Sequence, residues 1–208
     1  YVDKGYYNSW DELYGSTAHD EYDENRKPGN YIILDYDADG VITQDDNIPY
    51  GYTGIPQNTM NLQIGFDYKG WSCFVQFYGV NNVSRSVGLT SLGGTRNTAF
   101  FEGSYWSPDN QNANVPLPRW LNQASKYTDG TRFLFDGSYT RLKYAELSYT
   151  FSKEKWLKAS GLSSLKVFVN GNNLFLWTDM PDDRESNTGG WSAYPTQRRF
   201  NLGFKITL

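Results

Sequence analysis

Apolar and polar residues alternate at five places along the chain, as they must in a strand with one face in an apolar medium and the other in water. Met60, Leu62, Ile64, Phe66 and Tyr68 alternate with Asn61, Gln63, Gly65 and Asp67, after which Lys69 and Gly70 turn the chain. From Trp71 to Val80, Cys73, Val75 and Phe77 share one face and Phe74, Gln76 and Tyr78 the other, so the two segments predict a hairpin. A third strand is predicted over 139–151, with Ala145, Leu147, Tyr149 and Phe151 outward and Tyr144, Glu146, Ser148 and Thr150 inward. A fourth, over 164–172, sets Leu165, Val167 and Val169 against Lys166, Phe168 and Asn170. The clearest is the last: Phe200, Leu202, Phe204, Ile206 and Leu208 alternate with Asn201, Gly203, Lys205 and Thr207.

The connections alternate in length. Lys69-Gly70 is very short, and 152–163 is short with a helical turn expected around Lys153 to Ala159. Residues 1–57, 81–138 and 174–197 are long and rich in Gly, Pro, Asn, Asp, Tyr and Trp, the composition of loops. Short turns at one end and long loops at the other are the pattern of an outer-membrane β-barrel, whose long loops lie outside the cell. The reading is therefore all-β: an extracellular loop region over 1–57, then barrel strands over 58–208 interrupted by extracellular loops 81–138 and 174–197. Five strands do not close a barrel, since an open edge in hydrocarbon leaves N–H and C=O groups unpaired. Further strands are expected from a longer parent chain, and the opening YVDKGYYNSWDELYG, which reads like the middle of a loop with no signal peptide before it, carries the same expectation. A soluble β-sandwich module that binds glycans is the competing architecture; it explains the alternation but predicts loops of similar length at both ends.

Composition sharpens this picture. Aromatic residues make up 17% of the chain. Mean hydropathy is −0.65 despite the alternating segments, as expected where apolar side chains face lipid and polar ones a wet lumen. No apolar run reaches the roughly 20 residues of a transmembrane helix. The formal net charge of −4, with no basic cluster, argues against nucleic acid as a partner. Cys73 is the single cysteine and His19 the single histidine, so no disulfide framework, Cys/His zinc site or His-based triad is available.

One local motif carries metal chemistry. Asp35, Asp37, Asp39, Gly40, Val41 and Asp46 fall at the first, third, fifth, sixth, seventh and twelfth positions of a calcium loop. Alternate carboxylates, a Gly for the sharp bend and the Val41 carbonyl would supply hard oxygens to a structural Ca2+, with Mg2+ the less suited ion. Asp46 stands where Glu is usual, and a solvated acidic turn is the simpler alternative. Trp106, Trp120 and Trp191, together with Trp177, sit among Asn, Asp, Gln and Tyr, and their faces are candidate stacking surfaces for sugar rings, or else belong to packing and the interfacial belt. Asp182 with Asp183, or Glu102 with Asp109, offers carboxylate pairs of the kind a glycoside hydrolase uses, but acids scattered through polar loops read better as solvated charges, and no enzymatic activity is expected. Gly93-Gly94 has no Lys-Ser/Thr after it and is not a phosphate loop. In the last strand, Asn201, Gly203, Ile206 and Leu208 fit a barrel-assembly signal, in which register is set by pairing with the first strand of the barrel.

Several ordered stretches resemble the SusC-like TonB-dependent transporters. Residues 31–46 are similar to that family's acidic "DxNGDGxI" stretch, although Asp37-Ala38 stands where Asn-Gly is commoner; Phe66 to Gly70 with the strand after it resembles a family hairpin. Tyr105-Trp106-Ser107-Pro108-Asp109-Asn110 resembles "WTPDNP", residues 136–150 resemble "DGSYLRLKNVTLGYTL", and Val167 to Phe175 resembles "VYVSGNNLF". The resemblance implies a bacterial outer-membrane barrel of about 22 strands, a plug and TonB contact in a missing N-terminal part, and a SusD-like surface lipoprotein over the outer mouth. Its implied activity is TonB-driven import of glycans or peptides, with the remaining strands, the plug and outer-membrane lipid as further partners.

Overall fold

The computed structural model describes residues 1–21, 26–86, 105–113, 116–117, 130–152, 154–180 and 196–208. They fall into two compact units, one of Tyr1–Gly51 with Ser86–Phe135 and one of Tyr52–Arg85 with Asp136–Leu208. The division thus lies at 51/52, where 57/58 was expected, and the first long segment groups with the second long loop.

In the first unit, β1 (Asp3–Tyr6) pairs antiparallel with β3 (Tyr31–Ile33), and β2 (His19–Asp20) pairs parallel with β4 (Val41–Ile42). Between β1 and β2 lies α1 (Trp10–Tyr14), opened by Ser9, whose hydroxyl accepts the Glu12 N–H at 3.1 Å. A 3-10 turn, Gln44–Asp46, follows β4. The unit is more than loop because it buries its own apolar set, including Tyr6, Leu13, Tyr31, Ile33, Ile42 and Trp106.

In the second unit, β5 (Asn58–Tyr68) and β6 (Trp71–Asn81) are followed, beyond the three-residue strands β7 (Ser84–Ser86) and β8 (Leu134–Asp136), by β9 (Tyr139–Phe151), α2 (Lys155–Ala159), β10 (Ser164–Thr178) and β11 (Arg199–Thr207). The long strands form one antiparallel sheet in the order β5-β6-β9-β10-β11, each beside its neighbour in sequence. Their lengths, 11, 11, 13, 15 and 9 residues, suit strands that cross a bilayer, which need about 9–11. Lys69 and Gly70 both take positive φ (46° and 92°), as a two-residue hairpin turn of matching twist requires. A Cβ on Gly70 would lie 3.0 Å from the Thr150 carbonyl, so the turn also needs a residue without a side chain there.

β10 runs six residues past its expected end at Asn172, into the stretch read as loop from 174. The reason is an irregularity that alternation alone does not reveal. Register shifts between Asn172 and Phe175 on β10 and between Gln76 and Phe77 on β6, both opposite the Leu142–Tyr144 segment of β9, and Asn173 takes φ 54°. Pairing then resumes through Phe175, Leu176 and Trp177. Leu176 and Tyr78 pack on a buried cluster of Val80, Val83, Tyr139 and Met180 near the strand ends that lead to the long connections.

Candidate functional site

The register joins the alternating segments into two chemically distinct faces. Ile64 lies opposite Val75, Val75 opposite Ala145, Ala145 opposite Gly171 and Gly171 opposite Phe200. One row along, Phe66, Cys73, Leu147, Val169 and Leu202 form a second apolar line across all five strands. This face is uncovered in its own unit: Leu202 is 80% and Phe204 72% exposed. A β-sandwich would bury such a face under a second sheet, and an uncovered apolar surface of this extent marks a contact with lipid or protein. Aromatic residues bound it at both ends. Trp71, Tyr149, Phe151 and Trp156 stand in ring contact near the short turns, and Phe77, Phe175 and Trp177 near the long connections. Two such rows match the aromatic girdles of a barrel wall, and Trp177 stands in one of them, within β10 and not in a loop.

The opposite face is polar and cross-linked. Lys166 Nζ donates to Glu146 at 2.8 Å, the Tyr144 hydroxyl donates to the same carboxylate, Asn201 donates to Asn170 at 2.8 Å and Gln76 to Asn61 at 3.1 Å. The free cysteine, Cys73, sits in the apolar rows.

Of the assembly-signal residues, Asn201 lies on the polar face, Ile206 on the apolar face opposite Leu165, and Leu208 one residue beyond β11. Gly203 has a local cause. Phe168 is its partner across the ladder, and a Cβ at 203 would come within 2.5 Å of the Phe168 ring. The aromatic ring lies over the glycine, a device that sequence alternation does not reveal.

The acidic loop folds as a tight chelate-like turn. Carboxylate oxygens of Asp35, Asp37 and Asp39 lie within 4.8 Å of one another. Ala38 (φ 61°) and Gly40 (φ 87°) make the bend, and the Gly40 N–H donates to Asp35 Oδ2 at 2.9 Å. Asp35 Oδ1 is buried and has no hydrogen-bond partner, a state that costs about 1–3 kcal/mol unless another ligand supplies the contact. The Asp37 carboxyl is held above the ordinary carboxylate range. The Asp39 N–H that it accepts pulls it down, but desolvation and the neighbouring charges of Asp39, Asp46 and Asp35 outweigh that. Three convergent carboxylates, a buried oxygen without a partner and mutual repulsion fit a hard, oxygen-seeking cation.

One expected carboxylate ligand behaves otherwise. Asp46 is 1% exposed, and its two oxygens accept the Tyr36 N–H at 2.6 Å and the Thr43 N–H at 2.8 Å. It closes a capping box with Thr43 and braces the loop from behind, outside the three-carboxylate group. The Thr-x-x-Asp spacing was the available signal for that role. Val41 enters β4, paired with His19, and its N–H donates to Asp39 at 2.7 Å.

Trp106 is a correction. It is 4% exposed, its indole N–H donates to Asn8 at 3.0 Å, and a Cβ on Gly29 would come within 2.5 Å of its ring. A ring packed this closely offers no face for a sugar; it serves the core of the first unit. Trp120 and Trp191 lie outside the described residues, as do Glu102, Asp182, Asp183 and the Gly93-Gly94 pair.

No family model matches the chain. Among curated proteins it is similar to TonB-dependent receptor P3 of Formosa agariphila, 29% identical over 195 residues, which cover 86% of this chain and 19% of that protein. The likeness is thus to a TonB-dependent receptor. Solved structures agree on the fold. The RagAB peptide importer in its open-open state superposes with a TM-score of 0.62 at 18% identity, covering 81% of this chain and 19% of the other. Its closed-closed state gives 0.62 at 19% identity, covering 85% and 21%. The chain thus spans about a fifth of the proteins it matches. On these likenesses the sheet is of outer-membrane type. The matched proteins are a receptor and a peptide importer, transporters and not enzymes.

Proposed function

We propose that this chain forms five adjacent wall strands and outer loops of a transporter that takes a glycan or peptide nutrient across the outer membrane, driven through TonB. The observation that carries this reading is the apolar face, continuous in register across five strands and bounded by aromatic rows at both ends. Plug, TonB contact and the strands that complete the barrel would come from the part of the relatives' length that this chain does not span. A SusD-like surface lipoprotein is the partner proposed for the long-loop end, and the acidic loop holds a structural Ca2+ through Asp35, Asp37 and Asp39, fixing a loop and taking no part in covalent chemistry. The name of the RagAB importer supports a peptide, and the earlier resemblance leaves a glycan equally open.

Deleting the parent gene tests the reading. Cells lacking it should lose uptake of a labelled nutrient, and re-expression should restore uptake only while the inner membrane is energised. Uptake that is unchanged by deletion, or restored in de-energised cells, would contradict it.

A further inference from the structure

A cavity of about 330 Å3 in the first unit is lined by Lys4, Asn8, Glu12, Gln111, Asn112 and Arg132, with Tyr6 behind them. Its size is at the small end of the ~300–1,000 Å3 typical of small-ligand sites. Arg132 is committed, paired with Asp3 and placed over the rings of Tyr6 and Tyr31 at 4.8 and 5.4 Å. Glu12 gives one oxygen to the Asn8 N–H at 2.7 Å. By contrast Lys4, Gln111 and Asn112 are exposed and, among the described residues, make no hydrogen bond through their side chains. The wall therefore presents one uncommitted ammonium, one carboxylate with an oxygen to spare and two uncommitted amides.

That set discriminates between ligand classes. A sugar site wants an open aromatic face, and the one aromatic residue here, Tyr6, is 5% exposed, with Tyr31 stacked on it at 5.2 Å. Amides match the alternating N–H and C=O groups of a peptide backbone. An ammonium and a carboxylate on one cavity wall match a ligand carrying both charges.

The geometry points to a site for a short peptide with free termini, Lys4 taking its carboxylate, Glu12 its ammonium, and Gln111 and Asn112 its amides. This rests on the import reading and narrows its substrate class. Calorimetry on the intact parent protein in detergent tests it with tri-alanine, tri-alanine amide, N-acetyl-tri-alanine and maltotriose. Tri-alanine should bind, maltotriose should not, and blocking either terminus should weaken binding about tenfold or more. Lys4→Met should abolish the preference for a free over an amidated C-terminus and leave the preference at the N-terminus, whereas Glu12→Gln should do the reverse. Equal binding of free and blocked peptides, binding of maltotriose alone, or variants that leave both preferences intact would overturn the assignment. If energised uptake of another nutrient persists in that case, import stands without this site; if energised uptake is absent as well, both fall.

Discussion

Asp35 and Asp46 carry the same functional group eleven positions apart and do opposite things. Asp46 has both oxygens satisfied by backbone N–H groups, whereas Asp35 keeps one buried oxygen without a partner beside two further carboxylates. The difference has a pH consequence. Because the Asp37 carboxyl is raised in the folded loop, the folded state binds its proton more tightly than the unfolded one. That contribution is full below the unfolded carboxylate range and is lost as pH rises through the raised folded value. At neutral pH the loop is therefore self-repelling without a cation, and the calcium proposed for it would relieve the repulsion. Titrating calcium into the intact protein should give binding heat at neutral pH that fades on acidification through the carboxylate range, and Asp37→Ala should weaken binding about tenfold. No difference between the variant and the parent would leave the loop a solvated turn. Sequence spacing exposed the carboxylates of this loop because they recur at alternate positions. It misassigned Asp46 and Trp106 because capping and burial depend on partners 3 and 98 residues away, Thr43 and Asn8.

Strands β5, β6 and β11 were legible almost to the residue because apolar and polar residues alternate in them at nearly every position. β10 was not, because a left-handed Asn173 and the shifted register opposite Lys143 of β9 interrupt the pattern before Phe175 and Trp177 resume it. Within β11, Gly203 looked like one term of an assembly signal, and its contact with Phe168 adds a packing role. Gly203→Val should destabilise the wall by about 1–3 kcal/mol through overpacking, and Phe168→Ala should be milder. The double variant should recover part of the loss, as coupled neighbours do in a mutant cycle. Heat-resistant migration of the folded barrel in detergent gels, read against temperature, would report the difference. Strict additivity of the two substitutions would show that glycine is needed there for assembly alone.

For the chain as a whole, five strands in sequence order build one sheet with a dry face and a wet face, and the first two of the segments read as loops contribute to a unit with a core of its own. Amphipathic strands announced the first. The second was hidden because its core is assembled from short pieces, Tyr6, Tyr31 and Trp106 among them, with no period to detect. The central claim is that the dry face meets lipid. Single cysteines placed in turn from Phe200 to Ile206, in the intact protein with Cys73 replaced by Ser, can carry a spin label in bilayers. Oxygen, which concentrates in lipid, should then relax labels at 200, 202, 204 and 206, and a water-soluble nickel chelate should relax those at 201, 203 and 205. A two-residue period in that ratio is the predicted result; labels at 202 and 204 that answer to the chelate, or to neither agent, would contradict a lipid-facing wall.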